Sequence, residues 1–332
     1  RPPESCLPEF YKDALSPYNG SSMEPFTVQT RYQPSRALFH PRYWLTWAGI
    51  ALAFVLTGLS QPTRQRLASL LGRGAMYLLP RRVRIAKVNL SLCFPDLTPE
   101  AQTQLLQANL RSTAEGLIET GTTWLHPEKL KDLTVRFIGL EHLDRTETDP
   151  GILIIGMHFA TLDLAGALLS QKRPFNVMYK TNKNPVLEWL MQHGRGHHFK
   201  QALDQHNIRG VIRNLKAGNR LWYAPDQDYG RQNTVFAPFF GLTAATTTAA
   251  NRIARLTGAK VVFMSHYRHA DGSYSVVIKA PDAPFPTQSD LEDTSLINRH
   301  IERAIIDAPE QYWWVHRRFK TTEQGRSTLY DA

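Results

Sequence analysis

The clearest capacity for chemistry lies in His158 and Asp163, which bracket the segment 158-HFATLD-163 at the end of the apolar run 151-GILIIGM-157. Residues five apart on a regular helix differ in direction by about 140°, so a direct pair needs His158 in a strand-to-helix turn and Asp163 in the opening helix. In that arrangement the carboxylate holds one imidazole nitrogen, and the other takes a proton from an alcohol attacking an acyl carbonyl. A histidine with an acid five positions on is commonplace, so spacing alone leaves a structural pair open. A second acidic pair, Asp226 and Asp228, follows RLWYA. Read as a metal-binding DXD it lacks further spaced ligands, so its expected work is to orient neighbouring charges or cap turns. His193, His197 and His198 sit together without a cysteine or acid to complete a zinc site, and local hydrogen bonding is the expected role. No metal and no cofactor is expected.

The elements around these residues alternate. Thr98-Pro99-Glu100 reads as a helix start, with Thr98 as cap and Pro99 in the first turn. Residues 151–157 read as a buried strand because the apolar run is continuous. Further strands are expected at 135–140, 175–179, 220–224, 261–267 and 274–279. Helices are expected at 163–170, 184–193, 208–217, 247–256 and 295–307. Such alternation predicts an α/β fold, a mixed sheet with surrounding helices, without fixing strand order. Gly230 and Gly241 read as turn residues, and neither belongs to a Walker pattern.

Upstream, residues 1–36 are rich in Pro, Ser and aromatics without a sustained period, which suits a flexible arm. Residues 43–59, YWLTWAGIALAFVLTGL, carry no charge. As a helix they span about 25 Å, enough for a thin bilayer or for partial embedding, and a buried globular helix stays open. Tyr43, Trp44 and Trp47 at one end resemble an interfacial aromatic belt. Behind a second apolar stretch come Arg81, Arg82, Arg84 and Lys87, suited to anionic headgroups. Residues 37–97 are therefore expected to anchor the chain by a transmembrane or embedded helix and a basic amphipathic segment. Residues 98–322 form the α/β domain and 323–332 a tail. The positive-inside tendency places the large domain in the cytoplasm.

The balance of 39 basic against 29 acidic residues gives a formal charge of +10 and favours an anionic partner without saying which. No zinc-finger spacing, GXXG loop or RNP-like strand accompanies that charge, so nucleic acid is not expected. Cys6 and Cys93 supply neither a thiolate cluster nor a disulfide framework, which fits a reducing compartment.

Several blocks in matching order, 158-HFATLD-163, Asn184-Pro185 with Trp189, 222-WYAPDQDYG-230, 234-TVFAPFFG-241, 244-AATTT-248 and 311-QYWWVHRRFKT-321, carry a resemblance. The sequence resembles the late (secondary) acyltransferases of lipid A biosynthesis, within the HX4D/E glycerolipid acyltransferases, over roughly residues 42–322. It is most similar to the lauroyl-transferring branch. The resemblance implies a glycerolipid-acyltransferase-like core and acyl carrier protein thioesters as donors. The implied acceptor is a hydroxyacyl chain on a Kdo-bearing lipid A precursor, beside anionic inner-membrane lipids. It implies His158 as general base with Asp163, where relatives often carry glutamate. Arg195 is implied for the acceptor or for developing negative charge, and Lys180 stands where relatives commonly have arginine. Lysine keeps the charge but loses the bidentate fork. Asp226 and Asp228 are expected to line the site, and Arg317, Arg318 and Lys320 to touch lipid phosphate or carrier, with a solvated basic turn as the alternative. Acyl transfer to a glycerophospholipid, the later myristoyl-type transfer, and a non-enzymatic membrane-binding protein remain the competing functions.

Overall fold

The Thr98 hydroxyl accepts a hydrogen bond from Ala101 N (3.3 Å), closing one of the orphan donors at the start of a long helix. The computed structural model describes residues 34–331, so the expectations for residues 1–33, including most of the arm and Cys6, lie outside the described residues. Three helices precede that cap: α1 (Trp44–Gly58), α2 (Gln61–Leu78) and α3 (Pro80–Cys93). They pack along α4 (Pro99–Leu125). Gly72 permits the approach of α2, because a Cβ there would meet the Arg111 Cα at 2.6 Å.

The uncharged run becomes α1, 15 residues and about 22 Å long. No described helix is long and apolar enough to cross a membrane, which corrects the expected transmembrane helix. The reason is local. Leu59 leaves helical geometry at ψ 166° and Pro62 opens α2, so the apolar run ends after four turns. One side of α1 is tied to protein: Thr57 is buried, His126 Nε2 lies 2.9 Å from Phe54 O, and Lys129 donates to Gly58 O. The other side exposes Trp44, Leu45, Leu52 and Val55.

Beyond α4 the chain runs β1 (Val135–Ile138), β2 (Ile152–Ile155), α5 (Leu162–Lys172), β3 (Asn176–Tyr179), α6 (Pro185–Gly196), β4 (Ala202–Asp204), α7 (Ile208–Lys216) and β5 (Arg220–Tyr223). It continues with β6 (Thr234–Phe239), β7 (Leu242–Thr247), α8 (Ala249–Thr257), β8 (Lys260–Arg268), β9 (Tyr274–Lys279) and α9 (Asp290–Asp307). Seven strands form one sheet in the order β1-β9-β8-β2-β5-β3-β4, parallel except for the β8/β9 pair. The mixed α/β fold is as expected, and the sheet order comes from the structure. α9 begins earlier than the sequence suggested because Ser289 caps it, accepting from Glu292 N (3.2 Å).

β2 lies between β8 and β5, and all four of its residues are buried. Side chains alternate across a strand, so Leu153 and Ile155 join the core against α7, α8 and α9, while Ile152 and Ile154 join the core against α5. The β6/β7 hairpin was not expected. It turns on Phe240 (φ 51°) and Gly241 (φ 72°), two consecutive left-handed residues of the kind a two-residue hairpin turn requires, in keeping with the turn role read for Gly241. Residues after Thr322, read as a tail, fold back: β10 (Thr321–Thr322) pairs with β11 (Gly325–Arg326), and Tyr330 is buried.

Candidate active site

His158 stands in the turn between β2 and α5, at the C-terminal edge of the sheet, where parallel α/β sheets leave a crevice beyond the strand ends. β2 and β5 pair in parallel with Ile155 opposite Tyr223, and three residues past that pair on each strand come His158 and Asp226. The Asp226 carboxylate takes the histidine with both oxygens. Oδ2 accepts from His158 N (2.8 Å), and Oδ1 lies 2.6 Å from Nδ1. Asp226 is fully buried whereas the His158 side chain keeps 28% exposure, so the open part of the pair belongs to the imidazole.

The expected direct pair of His158 with Asp163 is not formed. Asp163 lies in the first turn of α5 and faces α4 and α6 instead. Its Oδ1 accepts from Trp124 Nε1 (3.3 Å) and from Arg195 Nε and Nη2 (both 3.4 Å). Arg195 comes from the last turn of α6, with its guanidinium 5.6 Å from the Trp124 ring centre and 5.8 Å from that of Tyr179. One buried nitrogen, Nη1, has no hydrogen-bond partner.

Burial disfavours the imidazolium of His158, but the Asp226 charge and hydrogen bond, with Asp163 adding and Arg195 opposing, hold its pKa above the ordinary histidine value. Burial works against ionised Asp226 in the same way, and His158 together with the backbone and Tyr312 hydrogen bonds keeps that carboxyl below the usual range. The arrangement is a base aligned by a buried acid, with part of the imidazole left exposed.

The frame around the turn comes from distant segments. Trp313 N donates to His158 O (2.9 Å), Ala160 N donates to Gln311 O (2.7 Å), and Phe159 bridges Tyr312. That 311–316 segment is gripped in turn by two buried asparagines. Asn109 on α4 donates to Glu310 O (2.9 Å) and Tyr312 O (2.8 Å), and Asn89 on α3 donates to Trp314 O and His316 O (both 2.7 Å). Tyr330 donates to Asn89 Oδ1 (2.5 Å). Gly116 lets α4 lie directly on Ala160, since a Cβ there would collide with the Ala160 carbonyl. These asparagines escaped sequence reasoning; their only signal was a polar residue at a core-facing helical position.

Asp228 organises this frame rather than the histidine. It accepts from Thr321 N and Oγ1 (both 2.9 Å) and from Gly230 N (2.8 Å). Its own N–H donates to His316 Nε2 (3.1 Å), and burial lowers that imidazole's pKa to about 4, which keeps it a neutral acceptor. With Asp226 on His158 and Asp228 on Thr321, the two carboxylates serve different partners, and among the described residues no group of three or more His, Cys, Asp or Glu is arranged to hold a metal. Arg318, expected at the lipid or carrier surface, is 2% exposed and donates to Ala245 O and Thr246 Oγ1 (both 2.7 Å). It cannot touch an external partner, because the 311–321 segment turns that side chain under β7. Arg317 lies over the Tyr330 ring, Lys320 stays 39% exposed at 4.0 Å from Asp228, and Lys180 is exposed. Of the histidine cluster, His193 stacks on Trp189 and His198 Nε2 lies 2.9 Å from Thr123 O.

The description "Bacterial lipid A biosynthesis acyltransferase" matches residues 32–321. The lipid A biosynthesis lauroyltransferase of Escherichia coli K12 is 39% identical over 89% of this chain and 98% of its own. The lipid A biosynthesis palmitoleoyltransferase of the same strain is 37% identical over 89% and 97%. A solved structure, the 1-acyl-sn-glycerophosphate acyltransferase PlsC from Thermotoga maritima, aligns with 74% of this chain and 97% of that one, at 14% identity and a TM-score of 0.38, too distant to carry an argument.

Proposed function

The chain belongs to the bacterial lipid A biosynthesis acyltransferases, and on that premise we propose that it moves a lauroyl chain from acyl carrier protein to a hydroxyacyl chain of a Kdo-bearing lipid A precursor. The observation that carries the mechanism is the two-oxygen grip of Asp226 on His158 at the sheet edge. Nδ1 donates to the carboxylate, so Nε2 is the free base. It takes the proton of the acceptor hydroxyl as that oxygen attacks the thioester carbonyl. The tetrahedral oxyanion then collapses to the new ester, the carrier thiolate leaves, and the imidazolium returns the proton to it as a thiol. A direct route is favoured over an acyl-enzyme, because Cys93 is buried with its thiol pKa pushed up by burial to about 12, far from a thiolate nucleophile. Arg195, tethered by Asp163, sits where it can steady the acceptor or the developing charge. Lys320 and Arg317 are the candidate carrier contacts and Lys180 a candidate phosphate contact.

Contact with the cytoplasmic face of the inner membrane through α1 and α2 is supported by the exposed Trp44, Leu45, Leu52, Phe54, Val55, Tyr77 and Leu78, next to exposed Arg81, Arg84 and Lys87 on α3. Arg82 is set apart from that group, because it also donates to Val315 O (3.1 Å).

Mass spectrometry of a tetraacyl Kdo-lipid A precursor incubated with lauroyl-, palmitoleoyl- or myristoyl-acyl carrier protein tests the reading. Intact protein is expected to add one lauroyl group, and His158→Ala to lose about 10²- to 10⁴-fold in rate with an unchanged melting temperature. Undiminished transfer by His158→Ala sinks the mechanism; preference for another donor replaces the lauroyl assignment alone.

A further inference from the structure

At the opposite, N-terminal edge of the same sheet lies a cavity of about 180 Å³ where β5 and β3 begin. Its lining includes Arg145, Asn176, Lys200, Gly218 and Arg220. With roughly 3.3 Å of rise per strand residue, this edge is on the order of 15–20 Å from His158, beyond reach of the reacting groups.

The cavity concentrates positive charge, with Arg145, Lys200 and Arg220 in its lining and no acidic residue among the lining residues. Among the described residues no carboxylate comes within ion-pair distance of Arg145, Lys200 or Arg220. The nearest acids, Asp144 and Asp149, act on Arg220 and Arg145 only from beyond ion-pair distance and bond other groups: Asp144 pairs with Arg173 (2.6 Å) and Asp149 accepts from Thr146 N (2.7 Å). The two guanidiniums are fixed rather than loose. Arg145 Nη2 donates to Glu147 O and Asp149 O (3.2 and 2.8 Å), and Arg220 Nε donates to Leu143 O (2.7 Å). Gly218 holds a left-handed φ of 78° under Arg145, and a Cβ there would collide with the guanidinium. Burial and the charges of Arg145 and Arg173, opposed by that of Asp144, lower the pKa of Arg220.

Two buried polar atoms remain open. Arg145 Nε is a donor without a partner, and Asn176 Oδ1 is an acceptor without one on a side chain only 3% exposed. Buried polar groups are rarely left so, and each costs about 1–3 kcal/mol. A ring of donors around one acceptor suits a ligand that pairs an oxyanion with a hydroxyl. We infer that this cavity is a second, non-catalytic site for a phosphate monoester, taken by Arg145, Arg220 and Lys200 through its oxygens and by Asn176 through a hydroxyl hydrogen. A volume equal to several waters at roughly 30 Å³ each accommodates such a group. It goes beyond the acyl-transfer reading and does not depend on it.

Isothermal titration calorimetry of the full chain with inorganic phosphate, with glucosamine 6-phosphate, and co-sedimentation with phosphatidylcholine vesicles with and without phosphatidic acid test the site and its source of phosphate. Saturable one-to-one binding is expected, weakened at least about tenfold by Lys200→Glu and by Arg145→Gln, the loss of one charge-assisted hydrogen bond, while His158→Ala binds as the intact chain does. A Lys200- and Arg145-dependent signal with the free phosphates supports a soluble ligand, and one confined to phosphatidic acid vesicles supports a headgroup. Absence of binding in every arm, or binding indifferent to both variants in chains that melt normally, overturns the inference.

Discussion

The two edges of the central sheet handle charge in opposite ways. At the C-terminal edge every charge near the turn has a partner: His158 has Asp226, Arg195 has Asp163, and Asp228 has Thr321 and Gly230. At the N-terminal edge Arg145, Lys200 and Arg220 surround a cavity, and among the described residues no carboxylate lies within ion-pair distance of them. Paired charge fixes geometry, which a proton transfer needs, because the base must be aimed before substrate arrives. Unpaired charge stores affinity for an anion and contributes nothing to alignment. A single sheet thus separates a preorganised reaction edge from an edge suited to binding.

The sharpest way to break this comparison is to neutralise one acid at a time at the reaction edge. Asp226→Asn is expected to lower kcat/KM by about 10²- to 10⁴-fold, as loss of the group orienting a catalytic histidine does. It also has a pH signature. The base acts when neutral, so the raised His158 pKa sets the acidic limb of the profile above the ordinary histidine range. Removing the carboxylate leaves burial opposed only by the smaller effect of Asp163, the pKa falls, and the limb moves to lower pH. Asp163→Asn, which touches Arg195 and not the ring nitrogen, is expected to cost less than Asp226→Asn and to move the limb in the same direction by less. Equal losses for the two variants would show that the edge acts as one charge cluster instead of an aligned pair.

A smaller effect probes the frame. Asn109→Ala removes the donor shared by Glu310 O and Tyr312 O and is expected to cost about 1–3 kcal/mol in urea unfolding, with a smaller loss of activity. Unchanged stability would mean that Asn89 and aromatic packing hold the 311–316 segment without Asn109. The smallest effect has the reverse sign. In low-salt, phosphate-free buffer Lys200→Gln relieves repulsion among unpaired cations and is expected to leave stability equal or raise it by less than about 1 kcal/mol. A measured loss would mean that Lys200 has a stabilising partner and that the two edges are not so different.

Much of this was legible locally. The cap at Thr98, the buried strand before His158, the turn at Gly241 and the alternating elements follow from short-range rules, because capping, left-handed turns and strand burial are decided by a few neighbouring residues. What failed to be legible was long-range. Arg318 carries the same charge as Arg317 and Lys320 one or two positions away, yet only it turns inward to satisfy Ala245 and Thr246. The uncharged run at residues 43–59 read as long enough for a thin bilayer, and the break at Leu59 and Pro62 ends it as a shorter helix bound along α4.

The histidine itself was fixed by sequence: a titratable base at the end of a wholly buried strand has nowhere to go but the sheet edge. Which acid holds it was decided by tertiary structure. Asp163 is five residues away but the first turn of α5 points it at Trp124 and Arg195, while Asp226, 68 residues distant, is carried to the ring by the parallel register of β2 and β5. Sequence distance measures the chain, and a hydrogen-bonded ladder brings distant residues within 3 Å.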